Sequence, residues 1–455
     1  MRVVIVGGGM AGLSAAVRVA EGGHHVTLLE SRSFCGGRTY SFHEPVTQSV
    51  IDNGQHLLMG CYRATFAYLA RVGTEHLVEQ QPRLVVPFVE PGGGLQVLCC
   101  PRLPAPLHLL GGLWRFPPFP RVDYWRLLRW ALSSAWRIRR SSADVQRMSV
   151  AQWLALAGQG REATAWLWEP LTLAIMNETP QRAAAAPFLR MLREGLCARS
   201  VPQGVAIPRV GLSRLLVEPA LAYLRARHGV IYETTSVDTL LARDDAIIGL
   251  RTRRSEEIAG DAYILAIPPH PLHQLMAASG FGQEMPWAAL AEWETVPIIA
   301  VHLWFPQPVL PQPMVGLVGS PFHWAFDRSR LEDDPRESSL HSVALVSSAC
   351  REMATWSRAA VTDAAIHAML SYFPAARTIT PAHVQITREL RATVSLGPEN
   401  LHLRLGTQTA WRNLFLAGDW TATGLPATIE GAVRSGEAAA RAVCLRACNE
   451  GVSHV

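Results

Sequence analysis

The chain has 455 residues, of which 49% are hydrophobic and 17% charged, a balance typical of folded domains with well-buried cores. Its 42 basic residues are all arginine, and the formal net charge of +5 is too small and too dispersed to indicate a nucleic-acid-binding protein. The 8 cysteines form no C-x-x-C pair, so the sequence predicts neither a metal site nor a dithiol redox centre. No stretch reaches about 18 uncharged apolar residues, so we expect no membrane span. Glycines interrupt the first apolar run, so we expect no signal peptide and a cytoplasmic protein.

The chain opens with a strand, a helix and a second strand. Arg2–Val6 is a β-branched run typical of a buried parallel strand, Ala11–Glu21 has a helical pattern, and His25–Leu29 is again apolar and strand-like. A β–α–β unit with such short connections is typical of the start of a dinucleotide-binding fold.

The turn between the first strand and the helix has a phosphate-binding pattern. Gly7, Gly9 and Gly12 form G-x-G-x-x-G, in which glycine permits a tight turn and the helix N-terminus attracts a pyrophosphate. At the end of the second strand, Glu30 can accept hydrogen bonds from ribose hydroxyls. The predicted contacts of this site are Gly7, Gly9, Met10, Ala11, Gly12, Glu30 and Ser31.

Changes of pattern divide the rest of the chain. Residues from about 101 to 200 are rich in Trp, Leu, Arg and Ala at helical spacing, and strand-like runs at 229–231 and 262–267 indicate a return to the first domain. We therefore predict an α/β fold: a doubly wound, Rossmann-like nucleotide-binding domain in discontinuous pieces, and an α+β substrate domain with a mainly helical insertion. The predicted pieces are 1–95, 205–290 and 401–447 for the nucleotide-binding domain, 96–204 for the helical region, 291–400 for the substrate-domain sheet and 448–455 for a tail.

Two further motifs point to the cofactor. Gly36-Gly37-Arg38 follows Glu30 and resembles the second FAD signature of the flavin amine oxidase and phytoene desaturase superfamily, in which the arginine lies beside the pyrophosphate. A guanidinium suits that position because it can donate two parallel hydrogen bonds to the oxygens of one phosphate. Near the other end, Leu416-Ala417-Gly418-Asp419 resembles the C-terminal FAD motif of the same superfamily, in which the aspartate contacts ribityl and pyrophosphate oxygens. The resemblance implies that the dinucleotide is FAD.

The same resemblance implies further contacts. A helix beginning near Thr428 and Ile429 would direct its positive end at the flavin pyrimidine. Val237 is interpreted either as the adenine-side backbone contact or as an ordinary core residue. No cysteine lies near the C-terminal motif, so we expect FAD to be bound non-covalently. The amine-oxidising members place a lysine near flavin N5, and because this chain has none, amine oxidation is disfavoured.

The segment Asp52-Asn53-Gly54-Gln55-His56 is the most particular feature of the sequence. It resembles the DNGQH stretch of the hydroxysqualene dehydroxylases, squalene-associated FAD enzymes of bacterial hopanoid synthesis. The resemblance extends to Met176-Asn177, to the stretch from Pro202 to Ser213 and to the ending GDWTATGLPATIEGAVRSG. It implies reductive dehydroxylation, in which hydroxysqualene loses water and a hydride from N5 of reduced FAD gives squalene.

Catalytic candidates follow from this resemblance. Loss of water requires an acid for the departing oxygen, and Asp52 and His56 are the best candidates because the segment should run close to the isoalloxazine. Asn53 and Gln55 could orient the hydroxyl or the flavin edge. In the alternative interpretation, Asp52 and His56 only brace the cofactor loop, and the sequence leaves both interpretations open.

A polyisoprenoid substrate is too apolar to cross water unaided, so the resemblance also implies contact with the inner face of a membrane. The stretch from Asp123 to Arg140 predicts an amphipathic helix with Arg126, Arg129, Arg137 and Arg140 on one side and tryptophans and leucines on the other, a pattern suited to an anionic interface. An ordinary amphipathic helix packed on the core is the alternative. A squalene cyclase is a possible downstream partner, and the sequence does not identify the electron donor.

Three competing functions share parts of this pattern. A carotenoid-type desaturase has the same fold and cofactor but removes hydride instead of adding it. A non-enzymatic isoprenoid-binding protein, of the kind represented by guanine nucleotide dissociation inhibitors, has the fold without a flavin. An NAD-dependent dehydrogenase is disfavoured because Gly36-Gly37-Arg38 and the C-terminal motif would have no role.

Overall fold

The computed structural model describes residues 1–137, 142–195, 204–333 and 340–452. Its strands in chain order are β1 (Arg2–Val6), β2 (His25–Leu29), β3 (Ser41–His43), β4 (Val50–Asp52), β5 (Leu58–Met59), β6 (Val78–Gln80), β7 (Val85–Val89), β8 (Leu95–Cys99), β9 (Val205–Pro208), β10 (Val230–Tyr232), β11 (Val237–Arg243), β12 (Ala246–Thr252), β13 (Glu257–Ile258), β14 (Ala262–Leu265), β15 (Thr295–Phe305), β16 (Met314–Leu317), β17 (Trp324–Asp327), β18 (His341–Ser347), β19 (His383–Val394) and β20 (Leu414–Leu416).

The α-helices are concentrated between β8 and β9, where the sequence predicts a mainly helical region. None of the helices in the described parts of the chain is long and apolar enough to cross a membrane. In chain order the helices are α1 (Met10–Glu21), α2 (Arg63–Val72), α3 (Leu107–Arg115), α4 (Arg121–Arg137), α5 (Ser142–Gln146), α6 (Val150–Leu156), α7 (Arg161–Ala163), α8 (Glu169–Met176), α9 (Ala185–Gly195), α10 (Glu218–Arg225), α11 (Pro269–Ala278), α12 (Arg328–Leu331), α13 (Arg358–Tyr372) and α14 (Ile429–Val452).

A five-stranded parallel sheet with the order β10-β2-β1-β14-β20 forms the nucleotide-binding domain. Val3, Val4 and Ile5 of β1 are almost completely buried, as expected for a parallel strand that is covered on both faces. Strands from three distant parts of the chain share this sheet. The predicted discontinuous, Rossmann-like fold is therefore confirmed.

Helices α1 and α14 join the two ends of the chain beside this sheet. They approach so closely that a Cβ atom at Gly436 would lie 2.2 Å from the carbonyl oxygen of Ala11. Ser14 of α1 also donates a hydrogen bond to the carbonyl oxygen of Val433. This contact holds the C-terminal FAD motif next to the glycine-rich turn at the start of the chain.

The second sheet has seven strands in the order β19-β15-β18-β17-β16-β7-β8, and only the β16–β7 pair is parallel. Side chains of β15 alternate between its two faces. Ile299 and Val301 pack in one core with α13, whereas Ala300 packs in another core with Phe326 and Leu57. The sheet therefore has helix on one face and, on the other, the segment that follows Asp52.

Sheet membership differs from the predicted division at one point. The hairpin β7–β8 belongs to the seven-stranded sheet, although the sequence predicts residues 1–95 as part of the nucleotide-binding domain. Its pairing with β16, at Gly316↔Phe88 and Leu317↔Val89, joins strands more than 200 residues apart in the chain. A short alternating hairpin carries no local signal of which sheet it will join, because that choice depends on its neighbour in space.

Glu430, in the first turn of α14, anchors the start of α2. Its buried carboxylate accepts hydrogen bonds from the backbone N–H groups of Ala64 and Thr65, at 3.1 and 2.9 Å, and forms an ion pair with Arg434 at 2.7 Å. These N–H groups lie in the first turn of α2, where the helix itself provides no acceptor. Glu430 therefore provides the hydrogen-bond acceptor for two N–H groups at the N-terminus of a neighbouring helix.

We expect Glu430→Gln to lower the free energy of unfolding by about 2 kcal/mol, because it removes the charge from a buried hydrogen-bonded carboxylate and turns an amide donor toward other donors. Glu437→Ala is the matched control on the same helix, since it breaks only partly exposed ion pairs, with Arg71 at 2.7 Å and with Arg441 at 3.7 Å, and should change stability by less than about 1 kcal/mol. Urea unfolding followed by circular dichroism measures both. Equal effects of the two substitutions would contradict this role of Glu430.

Candidate active site

The glycine-rich turn between β1 and α1 has the geometry of a phosphate cradle. Gly7 has a φ of 103°, and a Cβ atom at Gly12 would lie 1.8 Å from the carbonyl oxygen of Gly7. Gly9 is the N-cap of α1 and provides no side chain to the first helical N–H groups, so the backbone N–H groups of Met10, Ala11 and Gly12 are available to an anion.

The second predicted FAD motif lies directly on this turn. Gly9 and Gly36 form a parallel β-bridge, and the N–H of Gly36 donates to the carbonyl oxygen of Gly8 at 2.8 Å. A Cβ atom at Gly37 would lie 3.1 Å from the Cα atom of Gly9. Two segments of backbone without side chains thus lie next to each other. This allows a diphosphate to approach the backbone closely.

Glu30 is fixed at the edge of the cradle. One carboxylate oxygen accepts a hydrogen bond from the N–H of Gly8 at 2.8 Å, and the other accepts from the N–H of Arg32 at 2.8 Å and from the hydroxyl of Ser31 at 3.1 Å. The carboxylate is buried but retains lone pairs that can accept from ribose hydroxyls. The predicted placement of Glu30 and Ser31 therefore suits a dinucleotide.

Val237 begins β11, opposite Thr252. The preceding segment runs beside Glu30, because the N–H of Thr235 donates to the Glu30 carbonyl oxygen at 2.8 Å. This position is compatible with an adenine contact, but Val237 is also partly buried against the core. The contact of Val237 with adenine stays a prediction.

The C-terminal FAD motif meets the second motif through an ion pair. Arg38 and Asp419 are 2.8 Å apart, and Arg38 also donates to the carbonyl oxygen of Ala392. Gly418 has a φ of 151°, and a Cβ atom there would lie 2.4 Å from Nε1 of Trp420. The three FAD signatures, which are far apart in the sequence, therefore converge on one place.

Helix α14 begins at Ile429, where the sequence predicts a helix start. Thr428 accepts a hydrogen bond from the N–H of Gly431 through its hydroxyl, at 3.1 Å, and so caps the helix that begins at Ile429. The positive end of the helix dipole lies at these residues. They follow the loop that carries Asp419.

Arg404 supports this loop and was missed by sequence reasoning. Its guanidinium donates to the carbonyl oxygens of Trp420 and Leu425, at 3.1 and 2.7 Å, and to that of Asp419 at 3.1 Å. Burial lowers the pKa of Arg404 to about 10, so it stays charged at neutral pH. A lone arginine before the motif gives no sequence signal of this function.

Asp52, the first catalytic candidate, is held by two hydrogen bonds. The same carboxylate oxygen accepts from the hydroxyl of Ser41 at 2.6 Å and from the N–H of Leu212 at 2.9 Å. Ser41 and Ser213 also exchange two hydrogen bonds between backbone N–H and hydroxyl groups. Asp52 therefore joins β3 to the start of the segment after β9, which favours a positioning role.

His56 carries a proton on a defined nitrogen. Nδ1 lies 2.5 Å from the carbonyl oxygen of Gly54, and because a carbonyl oxygen only accepts, Nδ1 is the donor. Burial lowers the pKa of His56, although the nearby Asp52 carboxylate acts in the opposite direction, and the charge of Arg38 lowers it further. His56 is therefore neutral at neutral pH and has a free lone pair on Nε2.

Asn53 and Gln55 connect the same segment to the seven-stranded sheet. Asn53 donates to a carboxylate oxygen of Glu389 at 3.1 Å and accepts from the hydroxyl of Tyr40 at 3.3 Å. Gln55 accepts from Nε of Arg328 at 3.2 Å. The segment from Asp52 to His56 therefore lies between the nucleotide-binding domain and the second sheet, and the structure brings all four predicted residues together.

Arg328 and Glu332 are further residues that sequence reasoning missed. Arg328 is buried, donates to the carbonyl oxygen of Val50 at 2.8 Å and pairs with Glu332 at 2.6 Å. Burial raises the pKa of Glu332, as does the charge of Asp52, while Arg328 lowers it. Arg328 thus contacts both ends of the segment that contains Asp52, although it lies 273 residues from Gln55 in the chain.

Apolar side chains cover the other side of this segment. Leu57, next to His56, packs with Ala300 and Phe326 of the seven-stranded sheet. The described residues contain no group of three or more His, Cys, Asp or Glu side chains that could hold a metal ion. The geometry therefore offers a dinucleotide cradle that leads into a polar segment backed by an apolar wall.

Comparison with known proteins agrees with this arrangement. The profile of the flavin containing amine oxidoreductase family matches residues 10–444. A hydroxysqualene dehydroxylase from Rhodopseudomonas palustris is 31% identical over 96% of this chain and 97% of its own length. A 15-cis-phytoene desaturase from Synechococcus elongatus is 23% identical over 98% of this chain and 96% of its own length.

A solved structure supports the fold. A triple mutant of putrescine oxidase superposes with a TM-score of 0.73 at 15% identity, over 98% of this chain and 99% of its own. At that identity the likeness concerns the fold alone. The family match and the dehydroxylase relative extend over almost the whole chain. The chain is therefore a flavin-dependent oxidoreductase that belongs to the flavin containing amine oxidoreductases and, within them, to the hydroxysqualene dehydroxylase group.

Proposed function

We propose that this chain reduces hydroxysqualene to squalene in hopanoid biosynthesis. The main support is the 31% identity to a hydroxysqualene dehydroxylase over 96% of the chain. The substrate takes up one proton and loses water, which leaves an allylic cation, and a hydride then joins carbon where the hydroxyl was. When bound in its reduced form, FAD supplies this hydride from N5 and is left oxidised.

We also propose that FAD itself is the flavin and that it is bound non-covalently. The glycine cradle, the Glu30 carboxylate and the Arg38–Asp419 pair fit a diphosphate-bridged dinucleotide. Cys35 packs against Gly8, but burial and the Glu30 charge raise the pKa of its thiol to about 12. A protonated thiol is a poor nucleophile, so Cys35 is unsuited to covalent attachment. Acid precipitation should release all the flavin into the supernatant.

The chain's own residues would serve the loss of water. Asp52 fixes the segment, and its negative charge favours the protonated form of His56. Protonated His56 would donate to the departing oxygen from Nε2, while Leu57 and the sheet behind it exclude water from the cation. Because the pKa of His56 is lowered, its acid form becomes more populated as pH falls, so the dehydration rate should rise on acidification.

The direct test is an anaerobic incubation of hydroxysqualene with the protein and reduced FAD, followed by gas chromatography. We expect squalene to form together with oxidised flavin in equal amounts. No squalene, with the flavin correctly bound and reduced, would rule out the proposed reaction.

We expect His56→Ala to slow single-turnover oxidation of reduced flavin by hydroxysqualene by about 100-fold, the usual size of an acid–base contribution. The rate should also lose its rise with falling pH. Asp52→Asn should slow the reaction and lower the pH at which the rate rises, because it removes the charge that favours protonated His56. Stopped-flow absorbance of the flavin measures all three effects.

His76→Ala is the control, since this histidine is exposed in the turn before β6, and it should react at the normal rate. Normal rates and normal pH profiles in both His56→Ala and Asp52→Asn would show that these residues only brace the cofactor loop.

A carotenoid-type desaturase is the second candidate, because a phytoene desaturase is similar over 98% of this chain. That reaction runs in the opposite direction and removes hydride from an apolar substrate. Incubation with phytoene and oxidised FAD distinguishes the two, since a desaturase would produce conjugated polyenes with characteristic visible absorbance.

We further propose that the protein works in the cytoplasm at the inner face of the membrane, where its polyisoprenoid substrate resides. A squalene cyclase is a suitable consumer of the product. A non-enzymatic isoprenoid-binding function predicts a colourless protein that cannot be reconstituted with flavin, so the absorbance of the purified protein tests this alternative.

A further inference from the structure

An exposed apolar surface covers the hairpin formed by α3 and α4. Six large apolar side chains, each between 43% and 69% exposed, point outward from this part of the chain. On α4 they recur at a spacing that puts them on one face of the helix. They are Leu103, Leu107, Trp114, Val122, Trp125 and Leu132, and we name them the α3–α4 surface.

The α3–α4 surface is not needed to pack the hairpin against the protein. The opposite side of the hairpin is buried through Leu113, Phe116 and Phe119. Trp130 of α4 stacks edge-on against Trp153 at 5.2 Å. The orientation of α4 differs from the sequence prediction, which places Trp125 and Leu132 on the side of the helix opposite the arginines. The structure exposes Trp125 and Leu132 together with Arg126 and Arg129.

Aromatic rings tie the two helices together at the surface. The ring of Trp114 on α3 lies 6.0 Å from that of Trp125 and 5.2 Å from that of Tyr124, both on α4. The guanidinium of Arg121 lies 4.1 Å over the Trp114 ring. An indole with an arginine beside it is suited to the boundary between headgroups and acyl chains.

The exposed charges of this stretch of the chain have one sign. Every charged residue from 101 to 140 is an arginine except Asp123. Asp123 is buried, accepts from the N–H of Gly160 at 3.1 Å and pairs with Arg126 at 3.3 Å. Arg115 and Arg129 are exposed. Arg140 lies outside the described residues, as does the side chain of Arg137. An apolar patch ringed by arginine is complementary to an anionic bilayer.

The interior behind the surface is continuously aromatic. The ring of Phe116, which follows α3, lies 5.9 Å from that of Phe88, and the Phe88 ring lies 6.1 Å from that of Trp324. Trp324 stacks on Phe326 at 6.4 Å. Phe326 belongs to the apolar cluster against which Leu57, next to His56, is packed. A series of aromatic and apolar contacts therefore links the foot of the hairpin to the candidate active site.

We propose that the α3–α4 surface docks the protein on an anionic lipid bilayer, with Trp114, Trp125 and the apolar side chains inserted at the boundary and the arginines at the headgroups. Docking itself does not depend on the reaction catalysed. Only the use of this surface for delivery of substrate rests on the proposed function.

The test is flotation of the full-length protein with vesicles of phosphatidylethanolamine and phosphatidylglycerol. We expect the unchanged protein to float with these vesicles, and less with phosphatidylcholine alone. Two double variants, Trp125→Ser with Leu132→Ser and Arg115→Glu with Arg129→Glu, should each bind at least about tenfold more weakly, the loss expected when either of the two forces is removed.

Matched control variants change equally exposed residues elsewhere. Met285→Ser with Leu390→Ser removes exposed apolar side chains, and Arg253→Glu with Arg254→Glu reverses exposed charges beside β12. Both should float like the unchanged protein. The proposal is overturned if the unchanged protein fails to bind, if the α3–α4 variants bind normally, or if the controls lose as much.

Dehydroxylation of substrate presented in detergent separates this proposal from the proposed function. We expect the α3–α4 variants to turn over detergent-solubilised hydroxysqualene at the normal rate but to be slow with substrate held in vesicles. Normal flotation without squalene formation would overturn the proposed function and leave docking supported. Squalene formation without flotation would overturn docking and leave the proposed function supported.

Discussion

Replacement of Gly12 by alanine is expected to weaken flavin binding strongly. The new Cβ atom would lie 1.8 Å from the carbonyl oxygen of Gly7 and 3.0 Å from its carbonyl carbon. Both contacts are with backbone, so the turn must open to relieve them, and the N–H groups at the start of α1 would no longer converge on the diphosphate. We expect affinity for FAD to fall by more than roughly 100-fold, equivalent to about 3 kcal/mol. Flavin absorbance per chain and fluorescence titration of the apoprotein measure this loss.

Gly9→Ala separates loss of the cradle from damage to the fold. A Cβ atom at Gly9 would have no contact nearer than the Cα atom of Gly37 at 4.0 Å, so the apoprotein should keep its stability. The added methyl group would occupy space that a bound dinucleotide needs, and FAD binding should still weaken. Gly406→Ala, where a Cβ atom meets nothing within 4 Å, should bind FAD normally. Normal FAD binding by Gly12→Ala would show that the cofactor lies elsewhere.

Local signals were sufficient for the nucleotide-binding half of the molecule. The β-branched run of β1 is apolar because both faces of a parallel strand are covered. Gly7 and Gly12 are required because a Cβ atom would lie 2.5 Å from the carbonyl oxygen of Ala266 and 1.8 Å from that of Gly7, respectively. Glu30 lies against Gly8 of the first turn and Arg38 pairs with Asp419, so the motifs meet in the folded chain. These features can be predicted from sequence because the ligand imposes fixed spacings on short stretches of chain.

Other parts of the site depend on pairing between distant residues. Arg328 holds Gln55 across 273 residues, and Arg404 holds the loop after Asp419 through backbone carbonyl oxygens, which every residue type possesses. Neither arginine stands in a recognisable pattern. The same reason explains the placement of β7–β8, whose partner strand β16 follows much later in the chain.

Asp52 illustrates a different limit of sequence reasoning. The sequence identifies an acid in a distinctive motif, but it does not show which groups donate hydrogen bonds to the carboxylate. In the structure, its hydrogen bonds to Ser41 and to the N–H of Leu212 connect two segments far apart in the chain. Its effect on His56 then depends on proximity and burial, which only the folded chain defines.

Acidification is expected to destabilise the protein strongly through His302. This residue lies at the centre of β15, is fully buried, and neither ring nitrogen has a hydrogen-bond partner among the described residues. Burial, together with the charge of Arg328, lowers the pKa of His302 from 6.5 to about 3. The folded chain therefore holds His302 neutral over a range in which the unfolded chain binds a proton to it.

The sign of the effect follows from this difference in proton binding. Because the unfolded state binds more protons between about pH 3 and 6.5, the free energy of unfolding falls as pH falls through that window. At about pH 4.5, which is about two pH units below the pKa of the unfolded chain's histidine, the free energy of unfolding should have fallen by roughly 3 kcal/mol. Each pH unit contributes about 1.4 kcal/mol. Urea unfolding at a series of pH values measures it.

His302→Leu should remove this loss while changing stability little at neutral pH, since the imidazole makes no hydrogen bond that leucine would break. His323, whose pKa burial lowers to about 4, titrates in both proteins, so its contribution cancels in the difference between them. His76→Leu, at an exposed position, should follow the unchanged protein at every pH. If His302→Leu also lost stability in parallel with the unchanged protein, His302 could not be the residue that the fold keeps uncharged.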